Sequence, residues 1–362
     1  VFESLFNSDG LLISAYLSKP RGQSASATLT DLMRPLRQRG QGLARHLEKG
    51  LTRNIERLMD LAPRLDGEMA PGVAIFVNGE EVVYEPLRHP VPDRATAGRR
   101  PYLRPIRAIP PVQRTAVAVT DKRRVSLFVK ENTHLTALEP PTEADLGAPR
   151  WAGWHGLEEH NRRQHAREAT AHMLRQAAGR LFEAHQAQPF DMLVLAGHEA
   201  TIDELTPHLH TYLRQLPVGH FVIDPHTATP AIIRSEVERI EAEHRQLDDQ
   251  RTTEQVLGAL DGGADGGRGL LEVLAATNAR AIKQLVASKL FGPPGVRCPG
   301  CGFLAAEQQS CPVCGERMET VDDVVGDVIE SVLADGGEVR DVDPSPSLDS
   351  EGVVAITRFP VR

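Results

Sequence analysis

All four cysteines of the chain fall in one short stretch, as Cys298-Pro-Gly-Cys301 and Cys311-Pro-Val-Cys314, and no other feature limits the fold so sharply. Each Cys-x-x-Cys turn presents two thiolates to one ion, and Gly302 and Gly315 directly after the turns supply the backbone freedom that such tight turns need. Two turns complete the all-sulfur tetrahedron that zinc takes in structural sites, whereas a catalytic zinc keeps an open position. The alternatives are a pair of disulfides, or a redox switch formed when the metal is lost. Paired turns in a chain with no other cysteine favour the metal. The expectation is a structural Zn held by Cys298, Cys301, Cys311 and Cys314, in a zinc ribbon over residues 296–318.

Such a ribbon occupies little of a 362-residue chain, and the remainder is too long for one ordinary core, so two or three domains are expected. Hydrophobic residues at 41% and charged residues at 25% fit a globular protein. No apolar run approaches the roughly 20 residues that span a bilayer, so no membrane partner is expected. The sequence begins at Val1, which leaves room for a leader trimmed earlier, but it shows no signal-peptide layout, and a cytoplasmic location is the expectation.

The net charge of −8 taken alone argues against a nucleic-acid partner, yet the charge is unevenly placed. Pro86 to Arg124 holds ten basic residues against Asp93 and Asp121, while Val321 to Glu351 holds ten acidic residues against Arg340 alone. A basic stretch beside an acidic one suits a protein with one surface toward RNA phosphates and another toward basic proteins or solvent. A merely solvated surface accounts for the same pattern.

The organisation reads as α/β in three segments, 1–112, 113–246 and 247–362. A strand at Leu11–Leu17 precedes a long helical stretch from near Thr28, in which Pro35, Gly40 and Gly42 are candidate breaks. Asn78-Gly79 between two apolar runs predicts a hairpin, and Pro86–Pro111 reads as a mostly irregular connection. The second segment opens with strands at 115–119 and 125–130, followed by a long helix at 161–186. The apolar run Asp191–Ala196 has the look of a buried strand, and a helix at 201–215, a strand at 219–224 and a charged helix at 232–249 complete the alternation. In the third segment, Asp261–Arg268 reads as a flexible glycine-rich loop. A small α/β sandwich interrupted by the cysteines follows.

From Trp151 through Arg362 the chain resembles domains two and three of archaeal and eukaryotic class-1 release factors and of Pelota. The loop Trp151-Ala-Gly-Trp-His-Gly-Leu-Glu-Glu-His160 before a long basic helix, the strand Met192–His198 ending in Ala-Gly, the stretch Leu271–Ile282 and the last strand Glu351–Phe359 carry the likeness by order and texture. The two cysteine turns, ending Cys314-Gly-Glu-Arg-Met-Glu319, resemble the zinc-bearing insertion of archaeal release factors, and the loop at 152–157 looks closest to the Balon-like bacterial branch of the superfamily. The resemblance implies an RNase H-like middle domain and a third domain similar to kink-turn-binding ribosomal proteins. It also implies a middle loop directed toward the peptidyl transferase centre and a first domain near the decoding region.

One departure bears on activity. Release factors carry Gly-Gly-Gln in that loop, where this chain has Gly153, Trp154, His155 and Gly156, and the nearest glutamine, Gln164, falls in the following helix. The resemblance therefore implies a factor that occupies the ribosomal A site in hibernation or rescue without peptide release. The loop residues 153–156 with His160, Arg162, Arg163 and Arg167 would meet ribosomal RNA. Two readings stand beside it: a peptidyl-tRNA hydrolase or tRNA nuclease using His155 or His160, and a zinc-ribbon adaptor whose acidic last domain recruits a translational GTPase. The P-loop, His-Glu-x-x-His and Gly-x-Ser-x-Gly patterns are all missing from the sequence.

Overall fold

The computed structural model describes residues 10–18, 24–42, 44–66, 70–109, 112–145 and 157–361, with 157–163 described by backbone alone. Its contacts divide the chain into two units, Val1–Ile109 with Leu247–Arg362, and Pro110–Gln246. Both ends of the chain thus build one unit and the middle builds the other.

The first segment forms an antiparallel sheet in the order β3-β2-β1-β4, from β1 (Leu12–Ser18), β2 (Gly72–Asn78), β3 (Glu81–Leu87) and β4 (Arg94–Gly98). Strand β1 is apolar at both odd and even positions, so the sheet needs cover on both faces. Ile13, Ala15 and Leu17 pack with Leu29, Met33, Ile55 and Leu58 of α1 (Ala25–Gly40) and α2 (Arg45–Leu65). Ser24 caps α1 by accepting from the Ala27 amide, and the two helices part at Gln41-Gly42, while Pro35 lies inside α1 without ending it. Gly79, at φ 61°, turns the expected hairpin.

Leu12, Tyr16 and Phe76 point to the opposite face, where Leu87, Val91, Tyr102, Leu103, Ile106 and Ile109 cover them. The stretch expected to be an irregular connection is therefore the second layer of this core, and it contains β4 and the short helix α3 (Arg104–Arg107). Elements this short, interrupted by prolines, leave no periodicity to read.

The middle unit comprises β5 (Arg114–Thr120), β6 (Arg124–Glu131), β7 (His134–Ala137), β8 (Thr142–Glu143), α4 (Leu157–Ala187), β9 (Met192–Gly197), α5 (Glu199–Leu205), α6 (Thr211–Arg214), β10 (Val218–Val222) and α7 (Pro230–Asp261). Its sheet runs β10-β9-β5-β6-β7, with β8 on β6; β5, β9 and β10 are parallel and β6 and β7 antiparallel. An antiparallel meander followed by parallel strands reached through helices is the arrangement expected of an RNase H-like sheet. Met173, Ala177, Leu181 and Ile202 cover one face, and Ile233, Val237 and Ile240 of α7 cover the other. The single helix expected over 201–215 is interrupted by a 3-10 turn at Thr206–His208, where Pro207 removes a donor. The charged helix expected over 232–249 continues to Asp261, so the division between the units falls within α7.

The last segment adds β11 (Gly266–Arg268), α8 (Gly269–Asn278), β12 (Ile282–Ser288), β13 (Gly295–Arg297), β14 (Leu304–Ala305), β15 (Glu319–Val321), α9 (Val324–Ala334), β16 (Glu338–Val342) and β17 (Val353–Thr357). Its sheet runs β11-β17-β12-β16. Helices α8 and α9 cover one face through Val273, Val328 and Val332, and Val256 near the end of α7 lies on the other with Val286 and Val354. The glycine-rich tract expected to be a flexible loop supplies β11, paired with β17. A Cβ on Gly266 would stand 2.2 Å from the Ala355 carbonyl oxygen, so glycine here serves close approach between strands rather than flexibility.

Candidate functional site

The cysteines sit on a three-stranded sheet, β14-β13-β15, inserted between β12 and α9. Both turns are built alike. The Gly302 amide donates to the Cys298 carbonyl at 3.0 Å and the Gly315 amide to the Cys311 carbonyl at 2.9 Å, while the Cys298 and Cys311 amides donate to the carbonyls of Phe303 and Glu316. Gly302 at φ 79° and Gly315 at φ 78° take the left-handed conformation that closes each turn. Buried Cys298 and Cys311 pack with Val296 and Met318 in a small core, and Cys301 and Cys314 face outward.

All four sulfurs lie within 4.8 Å of one another. Cys298 Sγ is 3.3 Å from Cys314 Sγ, and Cys301 Sγ is 3.4 Å from Cys311 Sγ. A Zn–S bond of about 2.3 Å places tetrahedral sulfurs about 3.8 Å apart, so the cluster fits the ion after a small expansion. Desolvation raises the Cys311 thiol, but the amides of Cys314 and Val313 and the thiols of Cys301 and Cys298 outweigh it and lower it to about 6. The Glu316 amide favours a thiolate at Cys314, yet the Cys298 thiol, desolvation and the remaining thiols push it up to about 12. Sulfurs this close take on further negative charge only around a cation.

The other expected site residues belong to the middle unit. Gly153, Trp154, His155 and Gly156 lie outside the described residues. His160, Arg162 and Arg163 fall on the first turns of α4, and Arg167 is exposed. Among the described side chains of α4, Gln164 to Glu168 are exposed and Met173 is the first that is fully buried, while Thr170 Oγ1 donates to the Lys122 carbonyl at 3.0 Å.

A second charged centre had no counterpart in the sequence reading. Arg104 is 4% exposed and donates from Nε to Asp341 Oδ2 (3.0 Å), from Nη1 to Asp323 Oδ2 (2.9 Å) and the Phe291 carbonyl (2.8 Å), and from Nη2 to Asp341 Oδ1 (2.8 Å) and the Ser288 carbonyl (2.7 Å). Burial opposes the charge, but the hydrogen bond to Asp341 and the charges of Asp323 and Asp341 more than offset it and raise its pKa. Tyr102 Oη donates to Asp323 at 2.5 Å, Arg99 pairs with Glu319 at 2.9 Å, and Arg39 pairs with Asp322. Two residues of the basic run, Arg94 and Arg104, thus meet Asp323 and Asp341 of the acidic run inside one unit. No local signature betrays this, since Arg104 and its aspartates are 219 and 237 positions apart.

Residues 101–245 match the model of bacterial archaeo-eukaryotic release factor family 10. Among solved structures, the chain is similar to a model of ribosome-bound archaeal Pelota and ABCE1 (16% identity, 81% of this chain and 73% of that one, TM-score 0.43). It is also similar to Pelota of Archaeoglobus fulgidus (15%, 80% and 80%, 0.40) and to the archaeal translation termination factor aRF1 (15%, 96% and 92%, 0.27). No curated protein matches the sequence significantly.

Proposed function

We propose that the chain, whose residues 101–245 match the model of a bacterial archaeo-eukaryotic release factor family, is a member of the release-factor and Pelota superfamily and a cytoplasmic ribosome-binding factor that occupies the A site without releasing peptide. The match over residues 101–245 carries the reading. The sequence Gly153-Trp-His-Gly156, in the place of Gly-Gly-Gln, supports the absence of release. Positioning of a water at an ester depends on near-attack geometry, and no other glutamine adjoins the loop. Hibernation and rescue of stalled ribosomes are the two settings for such a factor, and a translational GTPase is the partner that would deliver it. Arg162, Arg163 and Arg167 on α4 would meet RNA phosphates.

In this reading the zinc is structural. Four thiolates close its shell, and its binding energy holds the β14-β13-β15 sheet together. Freshly purified protein should contain about one equivalent of zinc, and less than about half by elemental analysis counts against the site.

The decisive experiment is co-sedimentation with empty and with peptidyl-tRNA-loaded ribosomes at moderate salt, with the loaded sample read for freed peptide. Sedimentation without release is expected. Release would establish the hydrolase reading, and failure to sediment with either would sink the ribosome assignment.

A further inference from the structure

Three arginines of the basic run are committed within their own unit: Arg94 and Arg104 approach Asp323, and Arg99 holds Glu319. Arg100 and Arg107 from the same run are exposed and form no ion pair among the described residues. Both line one cleft of 510 Å³, together with Arg280 and Arg297 of the last segment. No lysine lines it; Phe303 and Val313, beside the cysteine turns, give it an apolar wall. Of its carboxylates, Asp327 is paired with Arg297, Asp335 stands 4.0 Å from Arg280, and half-buried Glu330 faces the cleft from α9 within the field of Arg107 and Arg100.

We propose that this cleft binds a nucleotide of single-stranded RNA, with Arg100 and Arg107 on the flanking phosphates and the base and ribose turned in toward Glu330 and Phe303. Planar guanidiniums grip phosphate in a bidentate fork and stack on bases, which suits a lining whose cations are all arginines. The volume lies in the range of roughly 300–1,000 Å³ typical of small-ligand pockets, enough for a nucleotide and too little for a duplex. The carboxylates select against the rival polyanion. An acidic peptide would bring its own carboxylates against Glu330, whereas a base or a 2′-hydroxyl donates hydrogen bonds to it. The proposal rests on the ribosome-binding reading only for RNA being the polyanion at hand.

The test is fluorescence anisotropy of a labelled single-stranded RNA decamer titrated with the full chain across a salt series, using wild type, Arg100→Glu/Arg107→Glu, and Arg37→Glu/Arg88→Glu as a control of equal charge change outside the cleft. Arg100→Gln/Arg107→Gln serves if the reversed pair melts early. The cleft variant should lose at least about tenfold in affinity and about 1.4 in log–log salt slope, two phosphate contacts' worth, while the control changes less than about threefold. Polyglutamate at equal charge should not displace the RNA. Equal losses in the two variants, efficient displacement by polyglutamate, or no binding of the decamer by wild type each overturn the proposal. Ribosome sedimentation run in parallel separates the two readings. Wild type that sediments with ribosomes but ignores the decamer leaves the ribosome assignment standing without this cleft, and the converse leaves the cleft without the ribosome.

Discussion

Arg104 uses every N–H it has, and that makes it the least replaceable side chain of its unit. Removing a buried partner strands the charge left behind. Arg104→Met should therefore cost about 3–5 kcal/mol, because Asp323 and Asp341 lose their counter-ion. Arg104→Lys should recover little of this, since an ammonium has three donors on a compact head instead of a planar fork. Urea midpoints of the purified variants check both, and a loss under about 1 kcal/mol for Arg104→Met would mean that water replaces the guanidinium at little cost. Gly197 is constrained differently. Its φ of 139° and a would-be Cβ only 2.1 Å from the Thr120 carbonyl oxygen leave no room for a side chain. Gly197→Ala should destabilise the middle unit by at least about 1–3 kcal/mol, the scale of backbone strain alone, read as a lower melting temperature.

Helix α9 shows how an element can carry a cost on behalf of a cleft. Burial, and the charge of Asp327 beside it, raise the pKa of Glu330, although Arg107, Arg297 and Arg100 pull the other way. A carboxyl whose folded pKa lies above its unfolded value disfavours folding at neutral pH. That penalty fades as pH falls through the folded value and is gone below the unfolded one, about 4.3. Glu330→Gln should thus raise the melting temperature at pH 7 and leave it unchanged near pH 4. An equal shift at both values would place the effect in packing instead of charge. The elements that sequence made legible were those with a strong local rule, such as the Asn78-Gly79 hairpin, the doubly buried run Met192–Gly197 and the two cysteine turns. Those it hid depend on distant partners. Strand β11 exists because Ala355 lies against Gly266 and Gly267, and residues 87–109 are ordered by the far face of β1. The candidate site divides the same way: the spacing of the four cysteines foretells that their sulfurs meet, whereas the arginine cleft draws its lining from residues 100–107 and 277–335, and nothing in either segment announces it.

At the scale of the molecule, the chain leaves one unit at Ile109 and re-enters it at Leu247. Within the acidic last segment, Asp322, Asp323, Asp327 and Asp341 are engaged by arginines of the same unit. The middle unit has its own buried pair, Lys130 with Glu241 at 2.8 Å, where Thr115 Oγ1 also donates to Glu241. Each unit thus holds an ion pair whose loss should be felt there first. Helix α7 is continuous through the division, but its apolar residues change allegiance along its length: Val237 and Ile240 belong to the middle core and Val256 to the other. A helix of 32 residues can therefore fray at its centre without exposing either core. Calorimetry of the full chain should accordingly resolve two transitions. Lys130→Met should lower one and Arg104→Met the other, each by roughly 3–5 kcal/mol at the affected unit, while the remaining transition moves little. If both variants instead shift a single transition by equal amounts, the full chain unfolds as one cooperative body.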